Sequence, residues 1–294
     1  MIAGDRPSRL SEAQLRWLAG VSAAQFAGLV VELGPMWEAD RAERLTARKR
    51  SRALGAGRRY DMPFATRLFV CLVYLRWNVG YRGRGAMAGF SKDTVNRAVD
   101  ECTRLLAAKG ITRPDGSRVG NEDELAEALE AVDHRALADG TFVPIPRPGG
   151  GWAAQKAEYS GHRHRHCRST QVVTDVDGWL LWVTDDQPGP THDLAALVGS
   201  GIPERIAAGG GTLVADRGYQ GIGNHVESLD VLLPNGAWGR GAGRYNTDLS
   251  RLRVRAEHAI AGLKRPKILH GFRRRAHQLT PTLRAVAALT TLPA

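Results

Sequence analysis

The sequence has few cysteines and no long uninterrupted apolar run. Only three cysteines occur among 294 residues, and no two form a CxxC pair, so the sequence indicates neither a disulfide framework nor a thiolate zinc site. We expect Cys71, Cys102 and Cys167 to serve packing. No stretch approaches the ~18 to 20 apolar residues of a membrane span, and the N-terminus lacks a secretory signal. We therefore expect a soluble, cytoplasmic protein without a membrane partner.

Acidic residues are also scarce relative to basic ones. Thirty Asp and Glu against forty-one Lys and Arg leave a formal net charge of +11, and the isoelectric point is near 10.1. This balance indicates a polyanionic partner, with nucleic acid first and an acidic membrane surface second. A chain of this length with 43% hydrophobic residues can bury a sizeable core, which excludes a disordered tail and favours two domains.

Residues 1–109 follow a helical pattern. Ser11 and Ser22 each precede a glutamine by three residues, so a helix is predicted to begin at each serine. Gly34-Pro35 is predicted to end the second of these helices. The run of arginines and lysines over 41–59 has little to bury. Its structure is expected to be either a solvated helix or a flexible basic arm, and its role is either a solvated surface or a DNA contact.

The end of this region predicts a helix-turn-helix pair. A buried helix is predicted from Pro63 to near Gly80, and the next segment indicates a helix, a tight turn at Gly89 and a second helix capped by Ser91. An ordinary helical hairpin is the alternative interpretation. A recognition helix would present its exposed polar residues to phosphates and base edges, and here these residues are Lys92, Thr94, Asn96 and Arg97.

Residues 110–133 are predicted to form a linker with a solvated acidic helix, and residues 134–294 to form a second domain. The pattern there changes to strands: an extended segment over 136–145, a hairpin around Asp177-Gly178 and a short buried strand over 212–215. Helices are predicted over 194–198 and from about 248 to 265. Antiparallel strands followed by alternating helix and strand predict a mixed α/β sheet covered by helices.

Three acids occupy informative positions in this second domain. Asp139 lies within the first strand, Asp216 directly follows the short buried strand, and Glu257 lies on the long helix. Cleavage of a DNA phosphodiester needs hard cations, and Mg²⁺ prefers carboxylate oxygen. Two such ions ~3.5 to 4 Å apart can activate the attacking oxygen and stabilise the leaving one. The three acids are therefore candidate ligands of two Mg²⁺ ions, for which Mn²⁺ could substitute.

Glu257 lies in a strongly basic segment. Between Arg251 and Arg275 it is the single acid among nine Lys or Arg residues. Offsets of four and seven residues place Arg253, Glu257 and Lys264 on one face of the helix. A lone carboxylate in a cationic field suggests a metal ligand beside bound phosphates. A salt-bridged surface glutamate is the alternative.

Five sequence blocks together resemble bacterial insertion-sequence transposases with a DDE superfamily endonuclease domain, the Harbinger-like group. The resemblance covers roughly residues 62–275, and it implies an RNase H-like catalytic domain of mixed α/β class behind an all-α helix-turn-helix domain. The blocks are Asp139-Gly-Thr, Tyr159-Ser-Gly-His-Arg-His-Arg-His, Pro188-Gly-Pro-Thr-His-Asp193, Ala215-Asp-Arg-Gly-Tyr-Gln-Gly221 and Arg255-Ala-Glu-His-Ala259.

The resemblance implies roles for individual residues. Asp139, Asp216 and Glu257 would be the catalytic, metal-binding triad. Related families also have Tyr, two residues, Arg, three residues, Glu, six residues, Lys. This chain matches that pattern at Arg253, Glu257 and Lys264, so the resemblance implies that Arg253 and Lys264 contact DNA. Ser250 stands at the tyrosine's position, which puts the tyrosine's DNA contact in doubt but not the triad.

Three features remain open at the level of sequence. Asp193, beside His192, resembles the group's pattern and is either an accessory ligand or the start of a helix. The alternating histidines over 162–166 would share one face of a strand and could bind a transition metal, or they belong with Arg163, Arg165 and Arg168 to a basic ribbon facing DNA. The glycine-rich stretch 235–244 is either a connector or a mobile loop in which Trp238 stacks on an unpaired base.

The expected function is therefore a DNA transposase. It would bind double-stranded DNA at the ends of an insertion sequence, and it would catalyse metal-dependent cleavage and strand transfer into target DNA. We expect a homo-oligomer associated with the bacterial nucleoid. Two alternatives are a domesticated, catalytically silent DNA-binding regulator and a metal-dependent endonuclease without strand transfer.

Overall fold

The N-terminal helices begin where the sequence predicts. The computed structural model describes residues 6–47, 62–80, 89–132, 134–236 and 240–293. Helices α1 (Glu12–Ala19) and α2 (Ala23–Thr46) follow Ser11 and Ser22. Each serine hydroxyl accepts a hydrogen bond from the backbone N–H three residues on, at 3.2 and 3.0 Å. The glutamine side chains accept from the serine N–H groups in return, so both capping boxes are confirmed.

The prediction that Gly34-Pro35 ends the second helix is wrong, because α2 continues through Pro35 to Thr46. Proline lacks the N–H that would bond to the carbonyl of Val31, at a cost of ~3 kcal/mol. That turn faces solvent, since the Val31 side chain is 76% exposed. Leu33 and Trp37 are buried on the opposite side, where each contributes roughly 1.5–3 kcal/mol. Of the basic run over 41–59, the part from residue 48 onward lies outside the described residues.

Two further helices of the N-terminal bundle lie within the described residues. Helix α3 (Phe64–Trp77) is buried over most of its circumference. Helix α4 (Lys92–Lys109) begins at Ser91, whose hydroxyl accepts from the backbone N–H of Thr94 at 3.2 Å. The first helix of the predicted helix-turn-helix falls on residues 81–88, outside the described residues. The predicted apolar stripe of α4 is buried throughout, at Val95, Ala98, Val99, Cys102, Leu105 and Leu106.

The segment predicted as a linker has local structure. Strands β1 (Ile111–Thr112) and β2 (Arg118–Val119) form a small antiparallel hairpin, and helix α5 (Glu122–Glu130) follows. Leu125 and Leu129 are buried whereas most of the glutamates of α5 are exposed. The acidic helix therefore has the structural role that its pattern predicted.

The described residues of the second half of the chain form a seven-stranded mixed sheet. The strands are β3 (Arg135–Pro144), β4 (Tyr159–Ser160), β5 (Arg165–Thr174), β6 (Leu180–Val183), β7 (Gln187–Pro188), β8 (Thr212–Val214) and β9 (Asp230–Leu232). The strand order is β4-β5-β3-β8-β9, and β6 and β7 also pair with β5. The pairs formed by β5 are antiparallel, whereas β3, β8 and β9 are parallel. The mixed α/β class is confirmed.

The hairpin between β5 and β6 turns at the predicted Asp177-Gly178. Gly178 has a φ of 86°, a conformation that glycine adopts without steric cost. The Asp175 carboxylate accepts the N–H groups of Asp177 and Trp179, both at 2.9 Å. Arg255 forms an ion pair with Asp177 at 3.0 Å, so the turn is fixed against the long helix that carries Arg255.

Helices cover the sheet and join it to the N-terminal bundle. Helix α6 (Gly151–Ala157) lies between β3 and β4, helices α7 (Asp193–Val198) and α8 (Ile202–Ala208) precede β8, and helices α9 (Arg240–Leu263) and α10 (Leu279–Thr290) close the chain. Helix α10 packs against α4 and also contacts β6. The hydrophobic core therefore runs without a break from the N-terminal helices into the sheet.

Helix α9 begins at Arg240, earlier than the predicted start near residue 248. The side-chain amide of Asn246 bonds to the backbone N–H and C=O of Asn235, at 2.7 and 2.9 Å. The hydroxyl of Tyr245 donates to the carbonyl of Leu233 at 3.1 Å. These bonds to the chain after β9 support an early start of the helix, which the low helix propensity of its glycines alone disfavours. Residues 240–244 are therefore helical and form neither a connector nor a loop. Residues 237–239, with Trp238, lie outside the described residues.

The three cysteines are free and buried, as expected for packing residues. Burial raises the pKa of the Cys71 thiol to about 12, so this side chain stays protonated and packs as a small apolar group. Within the described ranges, no single helix has the length and apolar character to cross a membrane; α1 and α2 reach them only together, across a 65° bend.

A buried ion pair ties three N-terminal helices together. Glu101 on α4 is 5% exposed, and its carboxylate accepts from Arg67 of α3 at 3.0 Å and from Trp37 of α2 at 3.1 Å. Arg44 of α2 adds a contact at 3.3 Å. A buried charge is tolerated only when it is paired, so this carboxylate fixes how the helices meet.

We predict that Glu101→Ala destabilises the protein by about 3–5 kcal/mol, because it leaves the buried Arg67 guanidinium without its carboxylate. Urea denaturation followed by circular dichroism measures the loss. Asp185→Ala is the control, since Asp185 pairs with Arg284 at the surface with 69% of its side chain exposed. The control should lose no more than about 1 kcal/mol; equal losses would contradict the buried-pair interpretation.

Candidate active site

Two parallel strands bring Asp139 and Asp216 to the same face of the sheet. Strand β3 pairs with β8 so that Leu137 lies opposite Val214. Side chains alternate along a strand, and each aspartate follows its apolar neighbour by two residues. Asp139 and Asp216 therefore occupy equivalent positions on adjacent chain segments, one within β3 and one directly after β8.

A small apolar cluster, which we call the apolar clamp, places α9 over these aspartates. The clamp consists of Leu137, Val214, Leu249 and Ala256, each at most 3% exposed. It joins β3 and β8 to α9, which packs on β3 and β5. Glu257 directly follows Ala256, so the clamp holds the third acid of the predicted triad above the first two. We call Asp139, Asp216 and Glu257 the acid cluster.

The electrostatics of Asp139 reflect this convergence. The pKa of its carboxyl is raised from 3.8 to about 6, and burial is the largest cause. The charges of Asp216 and Glu257 also act to raise this pKa, whereas the hydrogen bond from the Gly140 N–H and the charge of Arg253 act to lower it. Asp216 and Glu257 therefore lie within Coulomb range of Asp139, so the three acids form one electrostatic unit.

Arg253 lies between the other two acids. Its Nη2 is 4.0 Å from Asp216 Oδ2 and 3.9 Å from Glu257 Oε1. Asp216 also caps the short 3₁₀ helix Arg217–Tyr219 by accepting the Gly218 N–H at 2.7 Å. The arginine contacts are longer than the ~2.7–2.9 Å of a charge-assisted hydrogen bond. The guanidinium thus neutralises two acids without binding either of them tightly.

The acid cluster fits a divalent cation in its donor chemistry. Carboxylate oxygens are the ligands that Mg²⁺ and Mn²⁺ prefer, and Asp216 and Glu257 are 39% and 53% exposed in their side chains. Over the described ranges, no three His, Cys, Asp or Glu side chains are close enough together to hold a metal ion. A cation bound by Asp216 and Glu257 would compete with the Arg253 guanidinium for the same carboxylates.

A buried hydrogen-bonded chain supports the acid cluster from below. Gln171 of β5 lies opposite Gly140 of β3, and it is fully buried. Its Nε2 donates to Asp193 Oδ1 at 3.2 Å, and its Oε1 accepts from the hydroxyl of Tyr219. Tyr219 is three residues from Asp216, so this chain connects β3, β5, α7 and the turn that carries Asp216.

The Asp193 side chain also fills the space above Gly140. A Cβ atom at position 140 would lie 2.5 Å from Asp193 Oδ1, closer than two such atoms can approach. Asp193 is the first residue of α7, as the helix-start interpretation predicted, and the exposed His192 caps that helix through Nδ1 at 3.3 Å from the Leu194 nitrogen. The accessory-ligand role of either residue stays a prediction.

The histidines over 162–166 do not share one face of a strand. Strand β5 begins only at Arg165, and His162 and His164 lie in the turn before it, His164 with a φ of 51°. The interpretation of one basic ribbon is also wrong for Arg168. Its side chain is 15% exposed and is paired with Glu158, at 2.5 Å, and with Asp186, so these partners fix it inside the protein.

A cavity of about 770 Å³ opens beside the acid cluster. Asp139 and Glu257 contribute to one wall, and Arg163, Arg165 and Lys264 line other parts. Burial lowers the pKa of Lys264, and the charge of Arg163 lowers it further. The cations around this cavity therefore crowd one another next to the acids.

Some predicted residues lie away from this site, and some supporting residues were not predicted. Lys92, Thr94, Asn96 and Arg97 lie on helix α4. Helix α4 contributes no residue to the cavity beside the acid cluster. Lys92 and Arg97 are exposed, whereas Thr94 and Asn96 are half-buried. Their contact with DNA stays a prediction. Sequence reasoning gave no role to Gly140, Gln171 or Tyr219. Gly140 and Tyr219 stand inside the quoted blocks, but Gln171 has no signal except its polarity in an apolar strand.

Comparisons with known proteins agree with this geometry. A family described as "DDE superfamily endonuclease" matches residues 138–291, just over half of the chain. A protein of Microchaete diplosiphon described as "Probable transposase for insertion sequence element IS702" is 26% identical over 225 residues. That alignment covers 76% of this chain and 77% of the relative. No solved structure matches the chain significantly.

We predict that Asp139 in the metal-free protein titrates at about pH 6 rather than near 3.8. A raised folded-state pKa means that the folded protein binds this proton more tightly than the unfolded chain. The associated stability is therefore complete below pH 3.8 and is lost as pH rises through about 6. Carboxyl ¹³C NMR checks the titration. Asp216→Asn should lower this pKa, whereas Asp115→Asn, in the β1–β2 hairpin, should leave it unchanged.

We predict that Gly140→Ala destabilises the protein by about 1–3 kcal/mol, because the new methyl group overlaps the Asp193 carboxylate. Gly223→Ala is the control, since nothing lies within 4 Å of its added Cβ. The double variant Gly140→Ala/Asp193→Ala should show a coupling energy of at least about 0.5 kcal/mol in urea denaturation. Strict additivity of the two substitutions would mean that the side chains do not meet.

Proposed function

Because this chain belongs to the DDE superfamily endonuclease family, we propose that it is a DNA transposase, which cleaves DNA at the ends of an insertion sequence and transfers the cut strand to target DNA. The observation that carries the proposal is the convergence of Asp139 and Asp216 on adjacent strand positions beneath Glu257. The similarity to a probable insertion-sequence transposase over three quarters of the chain supports the choice of substrate.

The chain's own residues have distinct tasks in this reaction. Asp139, Asp216 and Glu257 would hold two divalent cations, Mg²⁺ or Mn²⁺. When bound, such ions supply activation of the attacking oxygen and stabilisation of the leaving one. Asp139 must be ionised to act as a ligand, and a nearby cation favours that form. Arg253 and Lys264 face the same site and would bind the phosphates on either side of the reacting one.

DNA recognition is assigned to the N-terminal helices. Lys92, Thr94, Asn96 and Arg97 occupy the first turns of α4, where side chains of a recognition helix contact phosphates and base edges. The net charge of +11 favours association with double-stranded DNA. We propose that the protein is located at the bacterial nucleoid in the cytoplasm. We also propose a homo-oligomer as the active form, because the two ends of the element must be paired in one complex.

Two other functions make different predictions. A domesticated DNA-binding regulator would bind the element ends without cutting them in any divalent metal. A simple metal-dependent endonuclease would cut DNA but yield no strand-transfer products. The intact acid cluster favours an enzyme over the regulator, and the transposase relative favours strand transfer over hydrolysis alone.

We predict that Asp216→Asn lowers Mg²⁺-dependent cleavage by more than roughly 100-fold, which exceeds the effect of residues that only support metal ligands. The substrate is a plasmid carrying the DNA on both sides of the gene, where an insertion sequence would have its terminal inverted repeats. Asparagine keeps the oxygen that accepts the Gly218 N–H, so the local fold should survive and DNA binding should change little. Gel analysis of cut and joined products, with Mg²⁺ or EDTA, measures both activities.

The matched control is Asp248→Asn. Asp248 lies on α9 and pairs only at the surface with Arg251, with 63% of its side chain exposed. This variant should cleave like the wild type. If Asp216→Asn lost cleavage and DNA binding together, or if wild-type protein bound the repeats but cut in no divalent metal, the proposed role of the acid cluster would be wrong.

A further inference from the structure

The cavity beside the acid cluster has the size and the lining of a nucleotide site. We propose that it binds one unpaired nucleotide of the DNA strand next to the scissile phosphate, and we call it the nucleotide pocket. The phosphates of the bound nucleotide would contact Arg163, Arg165 and Lys264, and its base would stack near Phe142. This proposal rests on the proposed DNA-cutting function and specifies how the DNA strand enters the site.

The basic residues of the nucleotide pocket indicate an anionic ligand. Elsewhere in the described chain, arginines such as Arg118, Arg168 and Arg205 form ion pairs with glutamates. Within the described ranges, Arg163, Arg165 and Lys264 form no ion pair at all. Crowded cations without an ion-paired carboxylate repel one another and so destabilise the folded protein, and a bound phosphate removes that cost.

The shape and the remaining lining favour a nucleotide over a duplex. A volume of about 770 Å³ is in the range of ~300–1,000 Å³ that encloses a small ligand, whereas an intact duplex is far too wide to enter. The guanidinium of Arg163 lies 4.6 Å from the centre of the Phe142 ring. An arginine on an aromatic ring offers a flat, cationic surface on which any base can stack.

The position of the pocket connects it to cleavage. Asp139 and Glu257 contribute to its wall, and Asp139 and Arg163 both act electrostatically on Lys264. A nucleotide whose phosphates contact these cations therefore places its neighbouring phosphodiester beside the acid cluster. An unpaired nucleotide, unlike a stacked and paired one, can leave the helix axis to reach this depth.

The test measures binding of DNA tails without cleavage. Fluorescence polarisation in EDTA compares a fluorescein-labelled blunt 20-base-pair duplex with the same duplex bearing two unpaired nucleotides. The wild-type protein should bind the tailed duplex about 5-fold or more tightly. Arg163→Gln/Arg165→Gln should abolish that preference and reduce the salt dependence of tailed-duplex binding by roughly one unit of slope per arginine. Phe142→Leu should reduce the preference but leave the salt slope unchanged.

The matched control is Arg118→Gln/Arg205→Gln, which removes the same charge from arginines that are already paired with Glu32 and Glu122. It should keep the preference for the tailed duplex. Thermal melting of each variant establishes that it is folded. Three results would each overturn the proposal: equal wild-type affinity for both duplexes, the same losses in control and pocket variants, or binding of free dAMP as tight as that of the tail.

Because the assay contains no metal, its outcome is independent of catalysis. A tail preference in a protein that never cuts DNA would contradict the transposase function but not the pocket. Cleavage at the repeats without any tail preference would contradict the pocket but not the transposase.

Discussion

The parallel register of β3 and β8 is the constraint on which the site depends. The three acids repel one another: burial is the main cause of the raised pKa of Asp139, and the charges of Asp216 and Glu257 add to it. Something other than electrostatics must therefore hold them together in the free protein. The apolar clamp of Leu137, Val214, Leu249 and Ala256 does so, since each large apolar side chain contributes roughly 1.5–3 kcal/mol when buried. Arg253 then reduces the repulsion from its position between Asp216 and Glu257.

Much of the fold follows from local sequence, because caps and periodicities are local. The capping boxes at Ser11 and Ser22, the hairpin at Asp177-Gly178 and the strand that ends before Asp216 are all predicted by residues within a few positions of one another. The mixed sheet follows from the order of these elements. Local rules failed at Pro35 and at the start of α9, where distant packing or distant hydrogen bonds offset a poor helix propensity.

The candidate site was predictable only in part for the same physical reason. Carboxylates at a strand, a strand end and a basic helix are visible in the sequence, and the resemblance adds their roles. The register that sets Asp139 beside Asp216 joins segments far apart in the chain, and no local pattern encodes it. Gln171 and Tyr219 meet only after β3, β5 and the turn beyond β8 have assembled. From sequence, Arg163 and Arg165 fit a basic ribbon, because their lack of ion-paired acids is visible only in three dimensions.

The C-terminal helix gives the molecule its continuity. Helix α10 returns from the sheet to pack on α4, and Asp100 of α4 accepts hydrogen bonds from Arg274 and, at 2.8 Å, from Gln278. The helix proposed to read DNA is thus held by the same core that packs against strands β3 and β8. A DNA end bound by α4 would be presented to a catalytic sheet whose direction relative to α4 is already fixed.

The close approach of Asp193 to Gly140 also has an evolutionary consequence. Neither position can drift independently, because any side chain at 140 requires a smaller residue at 193, and loss of the carboxylate at 193 leaves the buried amide of Gln171 without its acceptor. Residues from three separate elements, β3, β5 and α7, therefore behave as one heritable unit. Among related chains, substitutions at these positions should be found together or not at all.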